Sequence, residues 1–244
     1  MLTVDLERLS VGSGTRLLDL GCGSGRHAFA AWKAGGGVVA LDSSLEELAG
    51  VAGMIAAMQD AGELRAADGG VLAADACALP FADGSFDAIV ASEIFEHLHD
   101  DERAMLECAR VLRAGGVLAL SVPRTFPEAI NWLLSSDYHN SAGGHIRIYR
   151  RRELLGRLRS AGLIQVHHEY RHGLHSPYWW LRCALGVNRP ERPLVAAYHR
   201  LLVWEITAQP PMLRWAAKLL DPLIGKSVVV YLRHAGVTSP EAAR

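Results

Sequence analysis

The chain has 244 residues; half are hydrophobic, 21% are charged, and the formal net charge is -1. This composition excludes an intrinsically disordered chain, and the near-neutral balance disfavours a nucleic-acid binder of the basic kind. The length suits one domain of ordinary size, with or without a grafted subdomain, and allows a core without disulfide or metal staples.

Residues 15–20, TRLLDL, form a short apolar run ending in a leucine just after Asp19. The glycines of GCGSG follow at once, and RHAFAAWKAG then has helical spacing, so the segment reads as strand, tight turn, helix. GGVVALD is a second strand ending in Asp42. Ser43 or Ser44 caps the next helix, whose first turn carries Glu46 and Glu47. VLAAD is a weaker third strand ending at Asp75. The turn DGSF leads into FDAIVAS, a fourth strand ending at Ser92. DDERAMLECARVLRAGG reads as a helix closed by Gly115 and Gly116, and VLALSVP as the fifth strand. Strands alternating with helices predict a parallel sheet of βαβ units. Their near-continuous apolar character fits a sheet covered on both faces.

After Pro123 the alternation breaks. Residues 124–149 are an irregular insertion with a helix predicted over 128–134. RRELLGRLRSAG is a regular helix and LIQVHHEY a sixth strand. Residues 171–226 form a longer insertion, rich in Trp, Pro and Arg, with helices predicted near 177–185, 193–207 and 210–221. SVVVYLR closes the pattern as a seventh strand.

Cys22, Cys77, Cys108 and Cys183 form no C-x-x-C pair, so neither a disulfide framework nor a zinc site is expected. With no signal-peptide pattern and no run of 18 apolar residues, the expected location is cytoplasmic. Seven of the 11 His lie between positions 139 and 199. Adjacent His167 and His168 face opposite ways on a strand, His172 and His175 have i, i+3 spacing but Gly173 and Pro177 disfavour a helix there, and no H-E-x-x-H occurs. No metal site is expected on that basis.

The glycine turn separates two nucleotide-binding classes. Gly21 and Gly23 match the first two glycines of the dinucleotide fingerprint, but Arg26 stands where the third should be, which disfavours a nicotinamide-dependent oxidoreductase. D-L-G-C-G-S-G, with Asp19 two positions before the first glycine, instead resembles motif I of the class I S-adenosylmethionine-dependent methyltransferases. The resemblance continues through ALD at 40–42, AADACALPFADGSFD, IVASEIFEHL, LRAGGVLALSVP and GGHIRIYRRRELLGRLRSAGL. It covers about residues 13–170 and the last strand.

That resemblance implies an α/β fold with a Rossmann-like, doubly wound, seven-stranded sheet, an antiparallel last strand and helical cap insertions. It implies S-adenosyl-L-methionine as cofactor and a small-molecule or lipid-like acceptor, with O-methylation ahead of N- or C-methylation. The implied cofactor residues are Gly21, Cys22, Gly23 and Gly25 around the methionine carboxylate and Asp19 toward its ammonium. Asp42 and Ser43 fall at the ribose, and Asp75 and Ala76 at the adenine. Ser92 and His97 fall near the methionine end. A non-catalytic scaffold that retains the cofactor fold is the alternative, against which the intact Asp19, Gly21, Gly23 and Asp42 set argues. The N-P-P-Y-type motif of base-methylating relatives is absent, so a nucleic-acid acceptor is not expected.

Histidine is the natural base for a hydroxyl acceptor near neutral pH. His145, in GGHIRIY, is the first candidate for catalysis, followed by Tyr138 and His139. The whole of 1–244 is expected to form a single methyltransferase domain, with 124–149 and 171–226 forming the cap that binds the acceptor. Residues 1–120 hold 8 Lys plus Arg against 18 Asp plus Glu, whereas 121–244 hold 17 against 8 and five of the six Trp. A basic, Trp-rich half raises the expectation of a peripheral contact with an anionic membrane, or of pairing into a homodimer.

Overall fold

The computed structural model describes residues 2–64, 68–139 and 144–236, the side chain of His139 excepted. Seven strands form one sheet: β1 (Arg16–Leu20), β2 (Gly37–Asp42), β3 (Gly69–Ala73), β4 (Phe86–Ser92), β5 (Leu112–Pro123), β6 (Leu163–Arg171) and β7 (Ser227–His234). Their order is β3-β2-β1-β4-β5-β7-β6. β1 to β5 pair in parallel, and β7 runs antiparallel to both β5 and β6. This is the doubly wound sheet with an antiparallel last strand that the motif order implied.

Helices α1 (Arg26–Lys33) and α2 (Leu45–Asp60) cover one face, and α3 (Asp101–Val111) and α6 (Arg151–Ser160) the other. The strand residues alternate between the two cores: Leu17, Ala88 and Val229 pack with Ala28 and Trp32, while Leu18, Ile89 and Val230 pack with Met105 and Leu158. Burial on both faces is why the strands read as unbroken apolar runs.

Two boundaries differ from the sequence expectation. The helix predicted to run to Gly115 ends at Val111, and β5 begins at Leu112. Phe86 pairs with Leu112 and Ala88 with Val117, so the glycines lie in a bulge of β5 instead of stopping a helix. Gly115 has a φ of 76°, and a Cβ on Gly116 would lie 2.8 Å from the Asp87 carbonyl oxygen. These are the demands of a tight hairpin-like bulge as much as those of a helix stop. The third strand lies two residues earlier than expected, because Gly69 and Gly70 pair with β2 and Asp75 falls in the loop beyond it.

Between β5 and α6 lie α4 (Thr125–Leu134) and α5 (Ser136–His139); between β6 and β7 lie α7 (His175–Leu185), α8 (Pro193–Ala208) and α9 (Pro211–Ile224). Leu174, Tyr178, Val195, Leu202 and Leu213 form a separate core for this last group. α9 turns Leu213 inward but leaves Met212, Trp215, Leu219 and Leu223 exposed along one side. No helix among the described residues is long and apolar enough to cross a membrane.

Candidate active site

In an open parallel sheet, ligands settle outside the carboxyl ends of the strands, where the strand order reverses. Here that point lies between β1 and β4. A cleft of about 770 Å³ opens there, lined by the residues that follow β1, β2, β3 and β4. Its volume lies within the range of small-molecule sites, roughly 300 to 1,000 Å³.

The glycine turn shapes its floor. Gly21, Gly23 and Gly25 all have positive φ, the last as the left-handed cap of α1. A Cβ at Gly21 would come within 2.7 Å of the Ile94 side chain, so this position needs glycine for space as well as for backbone. Asp42, at the end of β2, accepts from the Gly23 amide through Oδ2 at 2.8 Å and from the Ser44 amide through Oδ1 at 2.9 Å. One carboxylate thereby fixes the turn and caps the approach to α2, and it still lines the cleft with further lone pairs. Ser44, and not Ser43, is the cap: its hydroxyl accepts from the Glu47 amide.

Asp19 lies beneath the turn and is 1% exposed. Its Oδ2 accepts from the Ala28 amide at 2.9 Å, which ties β1 to the first turn of α1. Burial pushes its carboxyl up to about 7, against the pull of that hydrogen bond and of the Arg26 charge. Cys22 is buried, and its thiol is pushed up to about 12 by burial, so it is not a reactive thiol.

Of the residues singled out in the sequence, Gly21, Asp42, Ser43, Asp75, Ala76 and His97 line the cleft together. Ser92 stands just behind, sharing a hydrogen bond of 3.0 Å with the Ser121 hydroxyl and accepting from Arg26 at 3.2 Å. Leu41, Ala74, Glu93, Ile94 and Leu98 also line it and were not singled out. Glu93 has a φ of 58°, a left-handed conformation uncommon outside glycine. It sits where β4 turns toward the cleft, accepts from Ser121, and pairs with Lys226 at 3.6 Å.

The segment 144–149 brings His145 beside His97, which lines the cleft. The Ile146 amide donates to the Glu96 carbonyl at 3.0 Å. Arg147 pairs with Asp101 and donates to the His99 carbonyl, and the Tyr149 hydroxyl contacts Asp101 and the Phe95 carbonyl. Each conspicuous residue of HIRIY therefore has a partner on the loop after β4 or on α3. His145 Nδ1 lies 2.6 Å from Glu128 Oε1, and the His97 and His145 rings are 5.1 Å apart.

Glu128 was not foreseen as a functional residue. It is 1% exposed and accepts from Asn131, Trp132, Tyr138 and His145. Burial opposes its ionisation, but the hydrogen bond and charge of His145 outweigh it and hold the carboxyl below its ordinary range. A glutamate inside an otherwise aromatic and apolar helix was the available signal. Tyr138 stands 6.3 Å from His145, ring to ring, with its phenol held protonated by burial and the Glu128 charge. The side chain of His139 lies outside the described residues.

Contrary to the expectation of no metal site, Glu96, His97 and His145 converge, one ligand atom of each lying within 4.8 Å of the others. Glu96 is fully buried, and neither of its carboxylate oxygens accepts a hydrogen bond among the described residues.

Residues 18–120 match the methyltransferase domain family. The methyltransferase GfsG of Streptomyces halstedii is 40% identical over 120 residues, covering 47% of this chain and 40% of that protein. The 27-O-demethylrifamycin SV methyltransferase of Amycolatopsis mediterranei is 32% identical over 158 residues, covering 64% of this chain and 56% of that protein. The chain thus spans about half the length of the curated relatives it matches. A solved geranyl diphosphate methyltransferase in complex with S-adenosylmethionine has the same fold, with a TM-score of 0.60 at 17% identity over 94% of this chain and 82% of that one.

Proposed function

We propose that this chain, whose residues 18–120 match the methyltransferase domain family, is a class I S-adenosylmethionine-dependent methyltransferase that transfers the cofactor's methyl group to a hydroxyl of a small molecule. The observation that carries this reading is that His97 lines the same cleft as Gly21, Asp42 and Asp75, with the His145 ring 5.1 Å from that of His97.

The residues lining the cleft would hold the cofactor there. Asp42 would receive the two ribose hydroxyls, Asp75 and Ala76 would face the adenine, and the N-terminus of α1 after the glycine turn would face the carboxylate. Asp19 would answer the methionine ammonium, and His97 would lie at the methionine end. Nucleophilic attack by an acceptor oxygen forms the oxygen–carbon bond as the sulfur–carbon bond breaks, and the electron pair stays on sulfur. The protein's task is to align those atoms and exclude water. His145, fixed through Nδ1 by Glu128, acts on the acceptor hydroxyl through Nε2.

The acceptor enters beneath the helices of 124–149 and 171–226. A smaller cavity of about 150 Å³, lined by His172, His175, Trp179 and Lys226, shares Glu93 with the main cleft and supports this placement. Relatives named for O-methylation and for a menaquinone precursor support a small-molecule acceptor. The exposed Trp215 and Leu219, with Lys218 over the Trp215 ring at 5.5 Å, support contact of α9 with an anionic lipid surface.

Calorimetry with S-adenosylhomocysteine tests the cofactor reading directly. Saturable one-to-one binding, weakened at least tenfold in Asp42→Ala, is expected; folded protein that binds neither product nor cofactor would sink it.

A further inference from the structure

We infer that Glu96, His97 and His145 bind one divalent transition-metal cation, which receives a hydroxyl oxygen of the acceptor. The part concerning the acceptor rests on the function proposed above; the cation site does not.

Both imidazoles are already turned as ligands. His97 Nδ1 lies 3.2 Å from the Gly144 carbonyl oxygen and His145 Nδ1 lies 2.6 Å from Glu128. Each of those partners is an acceptor, so each Nδ1 is the donating atom and each Nε2 is the ring atom left to face a ligand. A carbonyl or carboxylate behind the far ring nitrogen is how proteins fix the tautomer of metal-binding histidines. His145 Nε2 lies 4.0 Å from Glu96 Oε1.

Glu96 supplies an independent reason. A fully buried carboxylate without a hydrogen bond is expensive unless something compensates it. No lysine or arginine pairs with it within 4.0 Å among the described residues, and a ligand atom of each of His97 and His145 lies within 4.8 Å of its carboxylate. A cation between the three side chains would complete what the protein leaves unmatched. Ligands held about 2.1 Å from one cation lie roughly 3 to 4 Å apart, so a small inward movement from the present 4.8 Å limit closes the site.

Two imidazoles and one carboxylate favour zinc, manganese or ferrous iron over magnesium or calcium. Three protein ligands leave at least one position open, and His97, exposed and lining the cleft, sets that position toward the cleft. A hydroxyl bound there would lose its proton to water near neutral pH, as metal-bound water does. With the cation bound, His145 Nε2 acts on the acceptor hydroxyl through the metal. A neighbouring hydroxyl or carbonyl on the acceptor could fill a second open position, so the acceptor class is an oxygen chelator such as a catechol or vicinal diol.

The full chain, stripped with EDTA and dialysed, is titrated calorimetrically with ZnCl2, MnCl2 and MgCl2, with and without S-adenosylhomocysteine. We expect about one equivalent of Zn2+ or Mn2+, at least 100-fold weaker binding in Glu96→Gln and in His145→Ala, and weaker binding of Mg2+. Both variants should bind S-adenosylhomocysteine within threefold of the parent chain, which shows that they are folded. Parent chain that binds S-adenosylhomocysteine but neither cation overturns the inference. Equal Zn2+ binding by both variants does so too, since the site then lies elsewhere. Cation binding without S-adenosylhomocysteine binding supports the site and instead removes the proposed function.

Discussion

His145 and Glu128 are 17 residues apart in sequence and 2.6 Å apart in space, and the glutamate that holds the histidine is itself held by three other donors. Replacing Glu128 by Ala removes the carboxylate to which buried Asn131 and half-buried Trp132 and Tyr138 donate. The expected loss is about 2–4 kcal/mol, since each unsatisfied buried group costs roughly 1–3 kcal/mol and partial rearrangement recovers some of it. Glu128→Gln should cost less than half as much, because its amide oxygen still accepts. Urea midpoints of the two variants check this. Equal stability of parent and Glu128→Ala would contradict it.

The second prediction concerns Asp19. Its folded value of about 7 exceeds that of an unfolded aspartate. The folded chain therefore holds a proton that the unfolded chain has released across the interval from about 4 to 7. The resulting stability is fully present below the unfolded value and is lost as pH rises through 7. The change should be on the order of a few kcal/mol, at about 1.4 kcal/mol per unit. Asp19→Asn should flatten this part of the stability profile, measured by urea unfolding at pH 5 and pH 8. A wild-type slope unchanged by the substitution would show that Asp19 is not its source.

Cofactor binding should carry the opposite dependence. If the methionine ammonium meets Asp19, it favours the ionised carboxylate, and affinity should rise with pH through about 7. Below 7, binding should release a proton, seen as a dependence of the calorimetric enthalpy on the buffer used. In Asp19→Asn that proton release should vanish, with affinity at least tenfold weaker at pH 8.

Asp101 ties Arg147, Arg157 and Tyr149 to the start of α3. Burial opposes its ionisation, but the hydrogen bonds from Tyr149 and Arg147 outweigh this and hold its carboxyl below the ordinary value. That stability is present above the unfolded value and is lost as pH falls through the folded one. Asp101→Ala should cost about 3 kcal/mol, the scale for breaking a buried ion pair. It should also speed exchange of the Ile146 amide, whose acceptor is the Glu96 carbonyl. Hydrogen exchange confined to faster global opening, with no local effect at Ile146, would argue against Asp101 as the anchor of this segment.

For α9, Trp215 is the reporter. Its emission should shift to the blue on anionic phosphatidylserine vesicles and not on neutral ones, and Trp215→Ala with Leu219→Ala should abolish co-sedimentation. A concentration-dependent dimer in ultracentrifugation, with no vesicle binding, would assign the same stripe to a second copy of the chain.

The sheet was legible because its strands are short apolar runs with a turn or cap after each. The same patterning exposed the glycine turn after β1, Asp42 at the end of β2 and Asp75 in the loop after β3, all fixed by local chain geometry. Two kinds of feature were not legible. The Gly115–Gly116 bulge has the same glycines as a helix stop, and only strand pairing distinguishes them. Glu128, Glu96 and His97 come together with His145 through α4, the loop after β4 and the 144–149 segment. No spacing rule links positions so distant, so motifs alone could not anticipate a cluster assembled by tertiary packing.

The register of the last strand has a further implication. Pro123 at the end of β5 and Arg171 at the end of β6 both pair with Ser227, the first residue of β7. The adjoining Arg124 amide donates to the Lys226 carbonyl at 2.8 Å. The departure points of both helical insertions and the return of the longer one therefore meet at one corner of the sheet. An insertion anchored at neighbouring points can lengthen, shorten or be exchanged while strand pairing stays as it is. A chimaera joined at 124 and 149, or at 172 and 226, should keep the sheet and its cofactor cleft while taking its acceptor preference from the donor.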